Sequence, residues 1–550
     1  MRLIKVKNAI LLTSFTALVV MGCKKEEFAI NTQPDSVTSS TVDFKAVLPA
    51  SLVATANIMS TNWTFLQRWM GFWARSGSYQ DATDEESYDF TNDFGVGIWN
   101  NLYSNANNYN FLQNAAKSGG AGFYEAIARI MKAQDFQMLV DVYGNVPYSE
   151  AFKGGSIRTP KYDEDQDIYK DLFRQLDTAI SLLKDPVLSS TDNNPSIATN
   201  DLVFKGNATN WIKYANTLKL RLLMHMGNSS FAGGTEVNKF VTGANEVAEM
   251  AKILAEGSGF LGAGLNGHVN PGYSSDKPNP YYNFYVRTIA GAIPGNGDYT
   301  KANAYAVGSP SAPVLTGYYQ YNGDPRVDRL YTKPGTAAVH RGIRYGELAS
   351  SNAANTGSAL SNISGIGLVP DGAASRAWVF TGFESLFLQA EAARRGLLPG
   401  NAKVLLTAAI RESFVWLGLT AAQADSYILA NASYPDVDFD GVSQGAGLPA
   451  GGMYTIISQK WFALNSIGTL EVWTDYRRTN IVYGAGAAFR PGPPISINPA
   501  NTKTALPIRL FYPQNEYSLN AANAGAQGAV INVFTGGGLT GMNRIFWDQN

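Results

Sequence analysis

Apolar residues recur at helical spacing in long runs, and the runs come two by two. Between Phe123 and Tyr143, the positions Phe123, Ile127, Ile130, Met131, Met138, Leu139 and Val142 follow the i, i+4, i+7, i+8 rhythm of one buried face, and Gly144 stands where a C-cap is needed. Ile98 to Lys117 supplies the partner of this run. Asp167 to Leu183, with Ile168, Leu172, Leu176 and Ile180 in one row, is followed by Ala208 to Met226. Phe380 to Arg395 and Ala402 to Leu417 make a third pair, with a further helix at Ala421 to Leu429; Met453 to Asn465 and Thr469 to Arg478 make a fourth. One such helix cannot hide its apolar stripe alone, whereas stacked pairs bury a continuous core. The spacing predicts a mainly α fold, a degenerate tetratricopeptide-like superhelix of helix pairs near 98–143, 167–226, 380–417 and 453–478. The strict repeat signature is absent, and long insertions separate the pairs.

After one more predicted helix, Glu236 to Glu256, residues 257–375 are rich in Gly, Asn, Ser, Pro and Tyr, a composition of strands and loops. Tyr483 to Lys503 and Ser518 to Met542 have the same character. Insertions in repeat proteins gather on one face, so the loop-rich face is the expected binding face. Its ligand is expected to be neutral, because charged residues make up only 16% of the chain while aromatics reach 12%. A net charge of −1 gives no global attraction to phosphate, which argues against a nucleic-acid partner.

The N-terminus reads as an address. Arg2, Lys5 and Lys7 precede an apolar run from Ala9 to Met21, a signal-peptide pattern over residues 1–22 that is too short to span a bilayer comfortably. Cys23, the only cysteine, follows Val20-Met21-Gly22 in the manner of a lipobox. The expectation is cleavage before Cys23 and lipidation of it, so that a bilayer is met through the lipid anchor alone. Residues 23–42, polar and Ser/Thr-rich, read as a flexible tether to a body spanning 43–550.

Motifs of catalysis are sparse. The three histidines, His225, His268 and His340, stand far apart and in no metal-ligand spacing. Gly441-Val442-Ser443-Gln444-Gly445 fits GxSxG, but without the strand-to-helix context that exposes a nucleophilic serine. Asp436, Asp438 and Asp440 alternate before Gly441 like the first half of a calcium loop. Position 12 of that pattern is Gly447 in place of glutamate, so the segment is not an EF-hand. A solvated acidic turn is the plainer reading of it, and a structural calcium ion is the alternative; no other cofactor is implied. A glycosidase would need two carboxylates flanking a cleft, and Asp81, Asp84, Glu85 and Glu86 lie near aromatic residues.

Nine segments taken together resemble the SusD/RagB family of outer-membrane nutrient-binding lipoproteins. In order they are WNNLYSNANN from Trp99, LVDVYGNVPYSEAF from Leu139, WIKYANTLKLRL from Trp211, NGDPRVDRLY from Asn322, FESLFLQAEAARRG from Phe383, QKWFAL from Gln459, EVWTDYRRTN from Glu471, PIRLFYPQNEYSLN from Pro507, and IFWD from Ile545. Asn480-Ile481-Val482 departs from the Gly-x-Pro with which the family often continues RRT. Lys24, Lys25, Glu26 and Glu27 also resemble the surface-export signal of Bacteroidetes lipoproteins. Most of the matched residues read as structure: Tyr143 to Tyr148 as a helix exit, and Trp461, Glu471, Trp473, Asp475, Arg477 and Arg478 as a lock on the last pair.

The resemblance implies a surface lipoprotein that binds an oligomeric nutrient, a glycan first of all, and delivers it to a SusC-like TonB-dependent transporter without bond chemistry. A surface glycan-cleaving enzyme and a structural repeat scaffold are the alternatives. A glycan binder needs flat apolar faces for C–H patches and planar amides or guanidinium groups for hydroxyls. Trp73, Arg75 and Tyr79, and Tyr281, Tyr282, Asn283 and Tyr285 after Pro280, lie at helix-to-loop transitions where family members tend to place such contacts. Trp63 and Trp69, near helical spacing with Trp73, read as a buried stripe.

Overall fold

Eleven longer helices carry the architecture of the computed structural model, which describes residues 43–226, 243–309, 315–348, 355–441, 452–479, 493–528, 532–534 and 544–548. They are α1 (Phe44–Thr61), α2 (Val96–Ser118), α3 (Gly122–Tyr143), α4 (Asp165–Lys184), α5 (Ala208–Met226), α6 (Gly243–Glu256), α7 (Gly382–Arg394), α8 (Ala402–Trp416), α9 (Ala421–Ala430), α10 (Met453–Leu464) and α11 (Thr469–Thr479). The pairs expected from periodicity form: α2 packs on α3, α4 on α5, α7 on α8, and α10 on α11. Neighbouring pairs join through α3 with α4, α5 with α7, and α7 with α10, which makes one continuous core.

Position in the stack decides how each helix is patterned. α3 lies at the centre, and every residue from Gly122 to Tyr143 except Lys132 is buried. α4 lies at the side; Ile168, Leu172, Leu176 and Ile180 face inward, while Asp167 and Lys170 are exposed. At the end of α3, Gly144 takes φ +73° and returns its N–H to the Val140 carbonyl at 2.8 Å, a backbone shape that a side chain resists. The chain comes back to this corner much later. The Leu510 N–H donates to the Val142 carbonyl at 3.1 Å, the Tyr512 hydroxyl to the Asn145 carbonyl at 2.7 Å, and the Trp547 indole to Asp141 Oδ1 at 3.2 Å.

One boundary and one whole helix differ from the periodic pattern. Phe380 belongs to a strand, and α7 begins only at Gly382, capped by the Thr381 hydroxyl accepting from the Glu384 N–H. Periodicity did not single out α1, whose interior carries Pro49; Asp43 caps it through the Lys45 N–H, and Leu48, Leu52 and Ala56 are buried.

The insertion holds short strands and turns, as its composition predicts. β1 (Trp73–Arg75) pairs antiparallel with β3 (Thr300–Ala302), and β2 (Gly267–Val269) pairs antiparallel with β4 (Ala377–Phe380). The predicted signal peptide, Cys23, the tether, the start of the predicted 236–256 helix, Val442 to Gly445, Gly447, Asn480 to Val482, and parts of the 483–503 and 518–542 stretches lie outside the described residues.

Candidate functional site

The two groups of residues expected to contact ligand, about two hundred positions apart, meet through the β1–β3 pairing, yet most of them meet in the core. Trp73 is 1% exposed; its indole N–H donates to Ser466 Oγ at 3.2 Å, and its ring lies 5.1 Å from Tyr285 and 6.5 Å from Tyr281. The Tyr281 hydroxyl donates to the Ile363 carbonyl at 2.7 Å, and the Tyr285 hydroxyl meets Thr64 Oγ1 at 2.5 Å. Arg75, also buried, donates to Glu86 at 2.8 Å, to Asp81 at 2.7 Å, and to the Tyr79 and Glu347 carbonyls at 2.8 Å each. Trp73, Arg75, Tyr281 and Tyr285 are therefore structural residues and not ligand platforms. The physical reason is local. All three residues of β1 are buried, and a single π-turn (Tyr282–Val286) sends Tyr285 inward below Tyr281. Trp63 and Trp69 are buried as expected.

Tyr79, Tyr282 and Asn283 remain at the surface. The Tyr79 hydroxyl donates to Asp298 Oδ2 at 2.6 Å, and its ring meets the half-buried ring of Tyr299 edge-on at 5.2 Å. Tyr299 was not among the expected contacts, because its tie to Tyr79 depends on the β1–β3 register. The short helix that carries it (Gly295–Tyr299) packs on the π-turn bearing Tyr282 and Asn283. Tyr79, Asp298 and Tyr299 thus form a small polar-aromatic patch of two rings and a carboxylate, with Tyr282 and Asn283 on the adjoining turn, a chemistry suited to hydroxyl-bearing ligands.

The acidic residues weighed for glycoside cleavage have other partners. Glu85 binds Arg68 through 2.5 and 2.7 Å contacts, while Glu86 and Asp81 are held by Arg75; Asp84 is exposed. The Asp436 loop does not form the calcium arrangement either. Asp436 is buried and accepts from the Tyr318 and Tyr454 hydroxyls at 2.9 and 3.0 Å, and burial pushes its pKa up. Asp438 Oδ1 accepts the Asp440 N–H at 3.2 Å, and Asp440 pairs with Lys403 at 2.6 Å. A calcium ion needs its oxygens to converge, and these three carboxylates turn to separate partners.

The one group of metal-type ligands that converges among the described residues is Asp141, His225 and Glu471, all buried. His225 Nε2 lies 2.8 Å from Glu471 and Nδ1 3.2 Å from Asp141, so both ring nitrogens are already engaged. Burial alone would lower the His225 pKa, but Glu471 and Asp141 on either side raise it, and the Arg221 guanidinium stands 3.5 Å from Glu471. An imidazolium and a guanidinium thus supply the positive charge that a metal would supply, and the cluster is an ion-pair lock.

A family model for SusD-like proteins, described as starch-binding and associating with the outer membrane, matches residues 36–513. The chain belongs to the SusD-like family. SusD homologues of known structure share its fold: one from Parabacteroides distasonis (21% identity, 92% of this chain and 98% of that one, TM-score 0.69) and a chitin-binding homologue from Flavobacterium johnsoniae (21%, 92% and 99%, TM-score 0.67). Another, from Bacteroides uniformis, is 20% identical over 92% of this chain and all of its own, with a TM-score of 0.66. No curated protein matches the chain. Among the described residues, no helix of this SusD-like protein is long and apolar enough to cross a membrane.

Proposed function

We propose that this SusD-like protein is a lipoprotein of the outer membrane, anchored through Cys23 after removal of residues 1–22. In this reading it captures an oligomeric nutrient at the cell surface, a glycan first of all, and passes it intact to a SusC-like TonB-dependent transporter. The observation that carries the reading is the family match over residues 36–513, in a family described as starch-binding and associating with the outer membrane. The chitin-binding relative from Flavobacterium johnsoniae supports a glycan as cargo. The Tyr79 and Tyr299 patch and the adjoining turn with Tyr282 and Asn283 support neutral hydroxyl-bearing ligands, because flat rings cover sugar C–H patches and amides bond hydroxyls.

Calorimetric titration with chitin and starch oligomers and with short peptides tests the capture step, with recovered ligand checked for cleavage. Saturable binding of intact glycan, weakened by Tyr79→Ala and by Tyr282→Ala, is expected. Cleaved product would move the protein to the enzymes, and silence across the panel would favour a scaffold. Cys23→Ser should release the protein from the membrane fraction, and copurification with a barrel of the outer membrane tests the handover.

A further inference from the structure

Between the loop at residues 202–210 and the turn at 264–270 lies an open cleft of about 420 Å³, within the size range of small-ligand sites. Its lining includes two cations, Lys205 and Arg376, and no carboxylate. Both cations are exposed, and among the described residues neither forms an ion pair. In a chain of net charge −1, the cleft's own lining is thus positive, with the nearest acids set behind it: Asp201 inside its loop and Glu412, which is buried and accepts the Gly264 N–H at 2.9 Å.

Each wall is built from the backbone outward. Asp201, buried at the base of the loop, accepts the N–H groups of Val203, Phe204 and Gly206 at 2.9, 3.1 and 2.8 Å and the Trp211 indole N–H at 2.8 Å, so its oxygens are turned into the loop and away from the lining of the cleft. That knot holds Lys205 at φ +56°, a left-handed conformation that a lysine adopts at a cost, and strain of this kind gathers at functional sites. On the other wall, Asn266 Oδ1 accepts the Gly382 N–H at 2.7 Å, which ties the turn to the start of α7. A Cβ at Gly382 would lie 2.1 Å from the Gly262 carbonyl oxygen, so only glycine permits that approach.

The β2–β4 ladder pairs Val269 with Ala377, and the residues next to that pair in sequence, Asn270 and Arg376, both line the cleft. Asn270 Oδ1 accepts the Gly272 N–H at 2.9 Å, which leaves its NH₂ group as a donor. His268 adds no charge. The Trp416 indole N–H points to its Nε2 at 3.3 Å, and burial, with Arg376 nearby, pushes its pKa down to about 4. Leu265 and Phe204 supply apolar edges.

We propose that this cleft binds an acidic sugar unit, a ring bearing one oxyanion that Arg376 and Lys205 clamp while Asn270 and Asn210 meet the neighbouring hydroxyls. A guanidinium recognises an oxyanion with two parallel hydrogen bonds, and Lys205, whose backbone is held by its loop, adds a second positive charge on the facing wall. The site is separate from the neutral capture face and extends the range of ligands beyond it.

The test is titration of the full-length protein in detergent with trigalacturonate, its methyl ester, a sulfated disaccharide, maltotriose and inorganic sulfate. Trigalacturonate or the sulfated sugar is expected to bind at least about 10-fold more tightly than the neutral sugars, and the tighter of the two identifies carboxylate or sulfate as the anion. Arg376→Ala and Lys205→Ala should each weaken that binding about 10-fold, Arg376→Lys should restore part of it, and Arg376→Glu should bind less than the alanine variant. Circular dichroism confirms that these surface variants fold. Equal binding of acid and ester, no binding of either acidic sugar, wild-type affinity in both alanine variants, or inorganic sulfate binding as tightly as the sugars overturns the proposal. The maltotriose titration reports on neutral capture, so that reading and this one fail separately.

Discussion

The charges buried where α3, α5, α7, α10 and α11 meet and the two cations of the cleft differ in compensation. Arg478 makes paired 2.6 Å contacts with Glu391 and a third, also 2.6 Å, with Asp475, which Lys460 approaches at 3.0 Å. Arg221 binds Glu384 at 2.6 Å and lies beside Glu471, and His225 bridges Glu471 and Asp141. Among the described residues, Lys205 and Arg376 have no such partners. Desolvated charges survive only when matched, so the first set is committed to holding helices together; hydrated and unmatched, the second set is available to a ligand.

Breaking the committed set has the largest expected effect. Arg478→Ala leaves Glu391 and Asp475 facing each other in the core and should cost about 3–5 kcal/mol in denaturant unfolding, enough to abolish folding in a marginal chain. The lock is also sensitive to pH. Because the folded-state pKa of His225 lies above its ordinary value near 6.5, its contribution is fully present below that pH and is lost as pH rises through the raised pKa. Stability should then fall by up to about 1.4 kcal/mol per pH unit across that window, and a His225→Asn protein should lack that slope. On the uncommitted side, Lys205→Gly relieves the left-handed strain and should stabilise the fold by about 1 kcal/mol while weakening the cleft, a trade visible in paired melting and titration curves. Smallest of all, Lys403→Ala, which removes the exposed pair with Asp440, should change stability by less than about 0.5 kcal/mol.

Much of the body was legible because helical spacing records burial directly. The row Ile168, Leu172, Leu176 and Ile180 names the inner face of α4 without any knowledge of its neighbours. α1 hid behind Pro49, whose usual meaning is a helix end, since its tolerance deep in a helix depends on packing that periodicity does not contain. The ligand residues were harder for a related reason. Aromatic type marks Trp73, Tyr281 and Tyr285 as equally fit for a core or a sugar, and their burial follows from a pairing of residues 73–75 with 300–302 that no local pattern announces. Lys205 and Arg376 gave no signal at all. What sets them apart is the left-handed φ of Lys205 and a cleft lining without a carboxylate, which exist only once the chain is folded.

Trp547 closes on Asp141 across 406 positions of sequence. A growing chain has Asp141 and His225 long before Trp547 is synthesised, and Glu471 also arrives late. Until then the acid of α3 and the imidazole of α5 have each other, at 3.2 Å, but lack Glu471 and the Trp547 indole. The full set of contacts at the centre of the body therefore needs segments from both halves of the chain. Residues 544–548 thus act as a clasp, tying a late segment of the chain to the helix at its middle.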